Sequence, residues 1–326
     1  MSRPAFGYVL ILLAVSLLAV NATVAKVAIE SGGLSALRLA ELRAAGAALL
    51  LFGGVALARP AALRVGRRDI AYLAVFGVCG LALAQYLYFV SITRLDIGIA
   101  LLIANLAPVL IALWARFVAH EPVRRRLWVG LALAFAGLTL VVELWSGITL
   151  DGVGLATSLL TALSYAVFIL MADHRLAQGG DVYALLAWGF VFASFFWAIV
   201  QPWWSFPFDV LARDASLLGR LEDVSLPVWS LGAYVIVLGA VVPFSLLVSA
   251  LRHVPPTRAV IVAMSELVLA GITAYAWLGE ELGGPQIAGG ILVLVGIVLA
   301  QTARAQPQQV AEPAREELVT ATRTAS

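Results

Sequence analysis

A pattern of one glutamate and three glycines occurs twice in this chain. Gly80, Glu121, Gly130 and Gly137 recur 159 residues later as Gly239, Glu280, Gly289 and Gly296. Each copy lies in an almost unbroken series of apolar segments, and the punctuation between segments gives five to a copy. A duplicated unit with an odd number of membrane crossings must place its second copy upside down in the bilayer. That is the ground plan of inverted-repeat transporters, whose site lies at the midplane where the halves meet. Raw identity between the halves carries little, because an Ala/Leu/Val-rich chain matches itself by composition. The weight lies in the order, a glutamate at a membrane edge followed by two glycines at fixed spacing.

Composition makes the membrane reading unavoidable. Hydrophobic residues are 62% of the 326 and charged residues 12%, about half the charged share of an average soluble domain. A soluble fold of this size still needs a polar skin, which this sequence cannot supply. Segments of about 20 apolar residues span a bilayer, and ten are expected, near 6–27, 34–57, 71–92, 97–118, 128–145, 152–171, 182–203, 229–251, 257–278 and 286–301. The expected fold is therefore an all-α integral membrane protein with ten transmembrane helices in two inverted five-helix repeats. Residues 1–145 form the first repeat, 146–303 the second, and 304–326 a polar, disordered cytoplasmic tail. The first apolar run is too long for a signal-peptide core and is followed by further spans, so it is read as a retained helix. The acid- and leucine-containing stretch 205–228 reads as an interfacial helix.

Basic residues sort between alternate loops. Arg3, Arg59, Arg64, Arg67, Arg68, Arg124, Arg125, Arg126, Arg175, Arg252, Arg258 and Arg304 fall on one side. Lys26, Arg94, Arg213 and Arg220 fall on the other, the last two offset by acids. This predicts a multi-pass protein of a bacterial inner membrane with both termini cytoplasmic. Trp128, Trp145, Trp203, Trp204 and Trp229 mark span ends, as an interfacial belt does.

Several classes are excluded or disfavoured. A net charge of +2 without a basic, aromatic-rich stripe argues against nucleic acid. The single cysteine, Cys79, sits in an apolar stretch as a packing residue and permits neither a disulfide within the chain nor a cysteine metal site. His120, His174 and His253 lie apart at predicted loops, so no metal site and no cofactor are expected. No glycine-rich phosphate loop is present, and no Ser/His/Asp set can be assembled within the spans. The chain is not expected to be an enzyme. An intramembrane lipid-modifying enzyme would need paired polar residues at one depth, and an inert assembly subunit would tolerate substitution of its midplane polar groups.

The second copy reads Ser265-Glu266-Leu267-Val268, then Leu278-Gly279-Glu280, then Gln286, Gly289, Gly290 and Gly296. The first carries Asn105, Pro108, Glu121, Gly130 and Gly137. Together these resemble the EamA family of the drug/metabolite transporter superfamily, over essentially the whole chain. Asn21 followed by Lys26 resembles the end of that family's first helix, Arg43 its second-helix arginine, and Tyr165 with Phe168 the aromatic pair of its sixth. Two positions depart from the pattern. Leu18 stands where the family often has Trp, and Leu267 where it often has Pro. The missing proline predicts a ninth helix straighter than the fourth, which Pro108 bends. The resemblance implies ten helices around a central cavity and export of small metabolites such as amino acids. Members of similar architecture carry aromatic or other amino acids, or nucleotide-linked compounds.

Polar groups inside the membrane are costly, about 2.5–3.5 kcal/mol for a charge at a helix centre, so each is a candidate. Glu266 lies about 15 Å deep in the ninth span, at 1.5 Å per residue. There it can bind a substrate ammonium, take up a proton as coupling ion, or fix helix packing. Arg43 can grip a substrate carboxylate with its forked donors, or snorkel outward if its span starts late. Arg38 and Glu41, three apart, can pair on one face.

Gln85, Tyr88 and Phe89 share a face of the third helix. With Asn21, Asn105, Ser164, Tyr165, Phe168, Phe244, Ser245 and Ser265 they are the candidate lining of an amphipathic cavity. Such a lining suits a substrate with a planar apolar part and a zwitterionic end. Pro108 and Pro243 are candidate hinges. Glu121 and Glu280 are candidate gates or caps, and the repeated glycines allow close helix approach. The expected partners are a small-molecule substrate and the lipid bilayer, with the protein monomeric. A nucleotide-sugar carrier is the alternative, although it would want a more basic cavity than Arg43 alone provides.

Overall fold

The computed structural model describes residues 3–92, 94, 100, 103–120, 125–141, 151–279 and 283–302. Seven of its helices are long and apolar enough to cross a membrane. They are α1 (Arg3–Glu30), α2 (Ala36–Ala58), α3 (Asp69–Ser91), α6 (Gly152–Ala177), α7 (Val182–Val200), α8 (Val228–Ala250) and α9 (Pro256–Leu278). The described residues also form helices α4 (Ala107–Phe117), α5 (Arg125–Val141) and α10 (Gly284–Thr302). Glu121, Glu280 and the tail 304–326 lie outside the described residues.

Helix ends are fixed by local chemistry. The Ser35 side chain accepts the Arg38 amide at 3.2 Å, and Asp151 accepts that of Gly154 at 2.8 Å. Asp181 accepts those of Tyr183 and Ala184 at 2.9 and 3.0 Å. Each cap satisfies amides that the first helical turn leaves without partners. Gly279, with φ 74°, closes α9 in the left-handed region.

The packing respects an exchange of the two halves. Helix α1 packs on α8 and α9, and its counterpart α6 packs on α3 and α4. Helices α2 and α7 lie antiparallel, pinned at both ends. Arg59 at the end of α2 meets Asp181 before α7 at 3.0 Å. Arg38 near the start of α2 donates to the Ser205 hydroxyl beyond α7 at 2.6 Å. Helices α5 and α10 form their own antiparallel pair, Gly130 lying against Gly296 and Gly137 against Gly289. Most of the buried apolar residues form one cluster spanning both halves.

Matched irregularities occur in both halves. Helix α3 widens into a π-helical stretch at Phe76–Ala82, and α8 does so at Val237–Val241. These contain Gly80 and Gly239. Gly80 abuts the Phe168 backbone of α6, and Gly239 abuts the Asn21 side chain of α1. The wide turn in α8 also accommodates Pro243, whose ring would clash with the carbonyl four residues back in a regular helix.

The ninth helix, expected to be straighter than the fourth, carries a break of its own. Helix α9 is interrupted at Met264, between Pro256–Ala263 and Ser265–Leu278. The Met264 amide divides between the carbonyls of Val260 and Ile261, at 3.3 and 3.2 Å. This tightened turn does what a proline would, and it falls at the position equivalent to the turn at Asn105 that precedes α4.

The reading of 205–228 as an interfacial helix is also corrected. The stretch forms a short α-helical turn, Phe208–Leu211, and a small antiparallel hairpin in which Asp214–Ser216 pairs with Ser225–Pro227 around a 3-10 turn at Gly219–Leu221. Pro207 and Pro227 limit helix there, and the positive φ of Leu218 and Gly219 (61° and 57°) turns the chain. Phe206, Val210, Ala215 and Leu217 bury against Val24, Val27 and Ala28 of α1 and Leu39 of α2, forming a second apolar cluster.

Candidate functional site

A cavity of about 310 Å³ lies between the two halves, lined by α1–α4 and α6–α9 but not by α5 or α10. It sits at the breaks: Asn105 and Pro108 flank the start of α4, and Met264 and Glu266 flank the interruption of α9. Glu266 falls in the first turn of the second half of α9. Arg43 enters the cavity from α2, two turns beyond the Ser35 cap. Glu266 and Arg43 are within electrostatic reach of one another, as are Glu266 and Tyr165. One cationic and one anionic side chain, contributed by opposite halves, thus face a single space.

The remaining wall is aromatic and amide-rich. Gln85 and Tyr88 project from α3, Tyr165 from α6 and Phe244 from α8. Of the sequence-predicted lining, Arg43, Gln85, Tyr88, Asn105, Tyr165, Phe244 and Glu266 therefore share the cavity, with Pro108.

The others are placed elsewhere. Phe168 is fully buried behind the wall, 5.3 Å from the Phe76 ring and 5.5 Å from that of Phe244. Asn21 is buried against Gly239, with its carbonyl oxygen lacking a hydrogen-bond partner. Ser245 and Ser265 bond back to carbonyls of their own helices, Val241 at 2.6 Å and Val262 at 2.7 Å. Ser164 is buried outside the lining. Phe89 packs on the core beside Tyr88. Pro243 is buried in α8 just after the π-helical stretch.

Thr161, Phe190, Ala193 and Trp197 also line the cavity and were not singled out from sequence. Thr161 lies one helical turn before Tyr165, so the same-face rule could have found it. Phe190, Ala193 and Trp197 share one face of α7, but that helix is apolar all round and its pattern carries no direction. Leu18, where the family often has Trp, lines the cavity as well.

Among the described residues no cluster of His, Cys, Asp or Glu could hold a metal ion. Arg38 and Glu41 form a 2.6 Å ion pair away from the cavity. Glu41 is wholly buried there, and its second oxygen lacks a partner.

Comparison with known proteins agrees with this architecture. The EamA-like transporter family matches twice, over residues 5–143 and 152–302. The threonine/homoserine exporter RhtA of Salmonella typhimurium is 31% identical over 286 residues, covering 85% of this chain and 84% of that protein. Its Escherichia coli namesake is 29% identical over 273 residues, covering 82% and 79%. An uncharacterized transporter of Archaeoglobus fulgidus is 27% identical over 264 residues, covering 77% and 84%. A solved crystal structure shares the fold with a TM-score of 0.70 at 17% identity, over 92% of this chain and 96% of that one. With a family match in each half and seven helices of membrane-spanning length, the chain is a membrane transporter and belongs to the EamA-like transporter family.

Proposed function

We propose that this protein is a secondary exporter of amino acids, built from ten spans in two inverted five-helix halves (1–145 and 146–303) that alternate access to the central cavity. The observation that carries the reading is the placement of Arg43 and Glu266, one from each half, on that cavity. A zwitterion fits between them, its carboxylate on the Arg43 guanidinium and its ammonium on Glu266. Because the two groups belong to opposite halves, a bound substrate ties the halves together, and rocking of one against the other carries it across. The antiparallel pairs α2–α7 and α5–α10 support inverted topology. The sorting of arginines supports cytoplasmic termini.

The wall favours aromatic amino acids. Tyr88, Tyr165, Phe190, Trp197 and Phe244 all face the space, and rings prefer edge-on or offset contact with a planar side chain. The volume is at the lower end for ligand sites, which suits a single amino acid better than a nucleotide-sugar. Among the described residues that line it, Arg43 is also the one basic side chain. A second reading follows from the relatives named for threonine and homoserine. Asn105, Gln85 and Thr161 offer hydrogen bonds to a small hydroxylated side chain. Proton coupling through Glu266 fits its position in the wall.

Trp197 provides a test. Phenylalanine binding to the detergent-solubilised protein is expected to change tryptophan emission saturably, with a weaker response to threonine and none in Trp197→Phe. An equal response to phenylalanine and threonine would remove the aromatic preference, and no response to either would argue against an amino-acid site.

A further inference from the structure

Away from the central cavity, two apolar grooves open on the protein surface and meet at Tyr183. One, of about 400 Å³, runs along the last turns of α2 past Leu51, Gly54 and Val55. The other, of about 450 Å³, lies between α1 and α8 and passes Phe6, Leu10 and Leu246. Tyr183 is shared by both, and its ring is 42% exposed. At the end nearest Tyr183 each groove finishes on an arginine, Arg59 in the first and Arg252 in the second.

Both arginines are tied to the same short loop before α7. Arg59 bonds the Asp181 carboxylate at 3.0 Å and lies 5.7 Å from the Tyr183 ring centre. Arg252 donates to the Gly180 carbonyl oxygen at 2.8 Å. Each engages one acceptor here out of the five hydrogens it can donate. Asp181 is already satisfied by Arg59 and by the Tyr183 and Ala184 amides it caps. The rim therefore keeps a net positive charge beside two apolar channels.

We propose that this paired groove binds one anionic phospholipid, its phosphate between Arg59 and Arg252 and one acyl chain on each side of the Tyr183 ring. The charge pattern selects the headgroup. A phosphate offers oxygens to two guanidinium forks, whereas a choline group would bring a second positive charge to a rim that is already positive. The channels select a two-chain lipid over a soluble anion. Among the described residues nothing fills the first channel at Gly54, where an added β-carbon meets no atom within 4 Å. The site is independent of the amino-acid reading of the central cavity.

Native mass spectrometry of the full chain, extracted from vesicles of equal phosphatidylglycerol and phosphatidylcholine, tests this. Wild type is expected to retain phosphatidylglycerol about tenfold over phosphatidylcholine. Arg252→Gln, which gives up only a bond to a carbonyl, should reduce the preference, and Arg59→Gln with Arg252→Gln should abolish it. Gly54→Leu adds an apolar side chain to open space and should lower retention of both lipids without lowering the unfolding temperature. Glycerophosphoglycerol, the headgroup without chains, should not compete. Equal retention of the two lipids by wild type, or an undiminished preference in the double variant, would overturn the site. Unchanged retention in Gly54→Leu, or effective competition by the chain-free headgroup, would overturn its assignment to a lipid.

Discussion

Gly137 of α5 lies directly against Gly289 of α10, so that a methyl group at 137 would fall 2.6 Å from the Gly289 carbonyl oxygen. Gly130 meets Gly296 in the same way, at 2.7 Å. The two contacts are exchanged by the repeat, since 130 corresponds to 289 and 137 to 296. Numbers rising on one helix oppose numbers falling on the other, which makes the pair antiparallel. With no hydrophobic driving force between helices in lipid, close backbone approach at small residues supplies the attraction.

Gly137→Ala should therefore destabilise the protein by about 1–3 kcal/mol, because the blocking atoms are backbone and cannot rotate away. Gly53→Ala, which meets open space, is the control and should leave thermal unfolding in detergent unchanged. Equal unfolding temperatures for the two variants would contradict the seam.

Gly239 and Asn21 give a sharper test, because the blocking atoms belong to a side chain. Gly239→Ala alone should lower stability and transport, while adding Asn21→Ala should restore much of the loss. A double-mutant cycle reads the coupling, expected at about 0.5–3 kcal/mol for residues in contact. Additive effects would mean the two do not touch.

Among the described residues Arg38 is the one hydrogen-bonding partner of Glu41, which is wholly buried. Arg38→Ala should cost about 3–5 kcal/mol, as expected when a buried charge loses its partner. Replacing both, by Arg38→Met and Glu41→Leu, should cost far less. Similar unfolding temperatures for the single and double variants would show that Glu41 does not depend on Arg38.

The sequence carried the parts of this fold that obey periodicity or composition. Apolar segments located the long helices, and the repeated glycines fall where α5 and α10 pack together. The Arg38–Glu41 pair followed from helical spacing. What it hid was direction. Phe190 and Trp197 look no different from lipid-facing rings in a helix that is apolar all round. Asn21 and Ser265, polar and deep, looked like cavity residues, yet one faces Gly239 and the other satisfies its own backbone at Val262. The interruption of α9 at Met264 has no proline to announce it. The hairpin over 214–227 arises from tertiary burial on α1, which no local pattern records.

The charge pair in the cavity makes a prediction about ligand chemistry. Wild type should discriminate phenylalanine from its methyl ester and from N-acetylphenylalanine. Arg43→Gln should lose the first discrimination and Glu266→Gln the second, each by about tenfold or more in affinity for a charge-assisted hydrogen bond. Loss of both discriminations in either variant would place the two groups in a purely structural pair.

If Glu266 carries the coupling proton, an inward proton gradient should accelerate outward amino-acid flux in wild type. Glu266→Gln should be insensitive to the gradient. Flux that is independent of the gradient in wild type and unchanged in Glu266→Gln would exclude proton coupling at this residue.

The most direct measurement is flux itself. Purified protein in liposomes would be assayed with labelled phenylalanine, threonine and a nucleotide-sugar, against protein-free vesicles. Saturable phenylalanine flux that is lost in Glu266→Ala and in Tyr88→Ala is the expected result. Folded protein that moves none of these compounds, or moves them undiminished when both residues are replaced, would contradict export through this cavity.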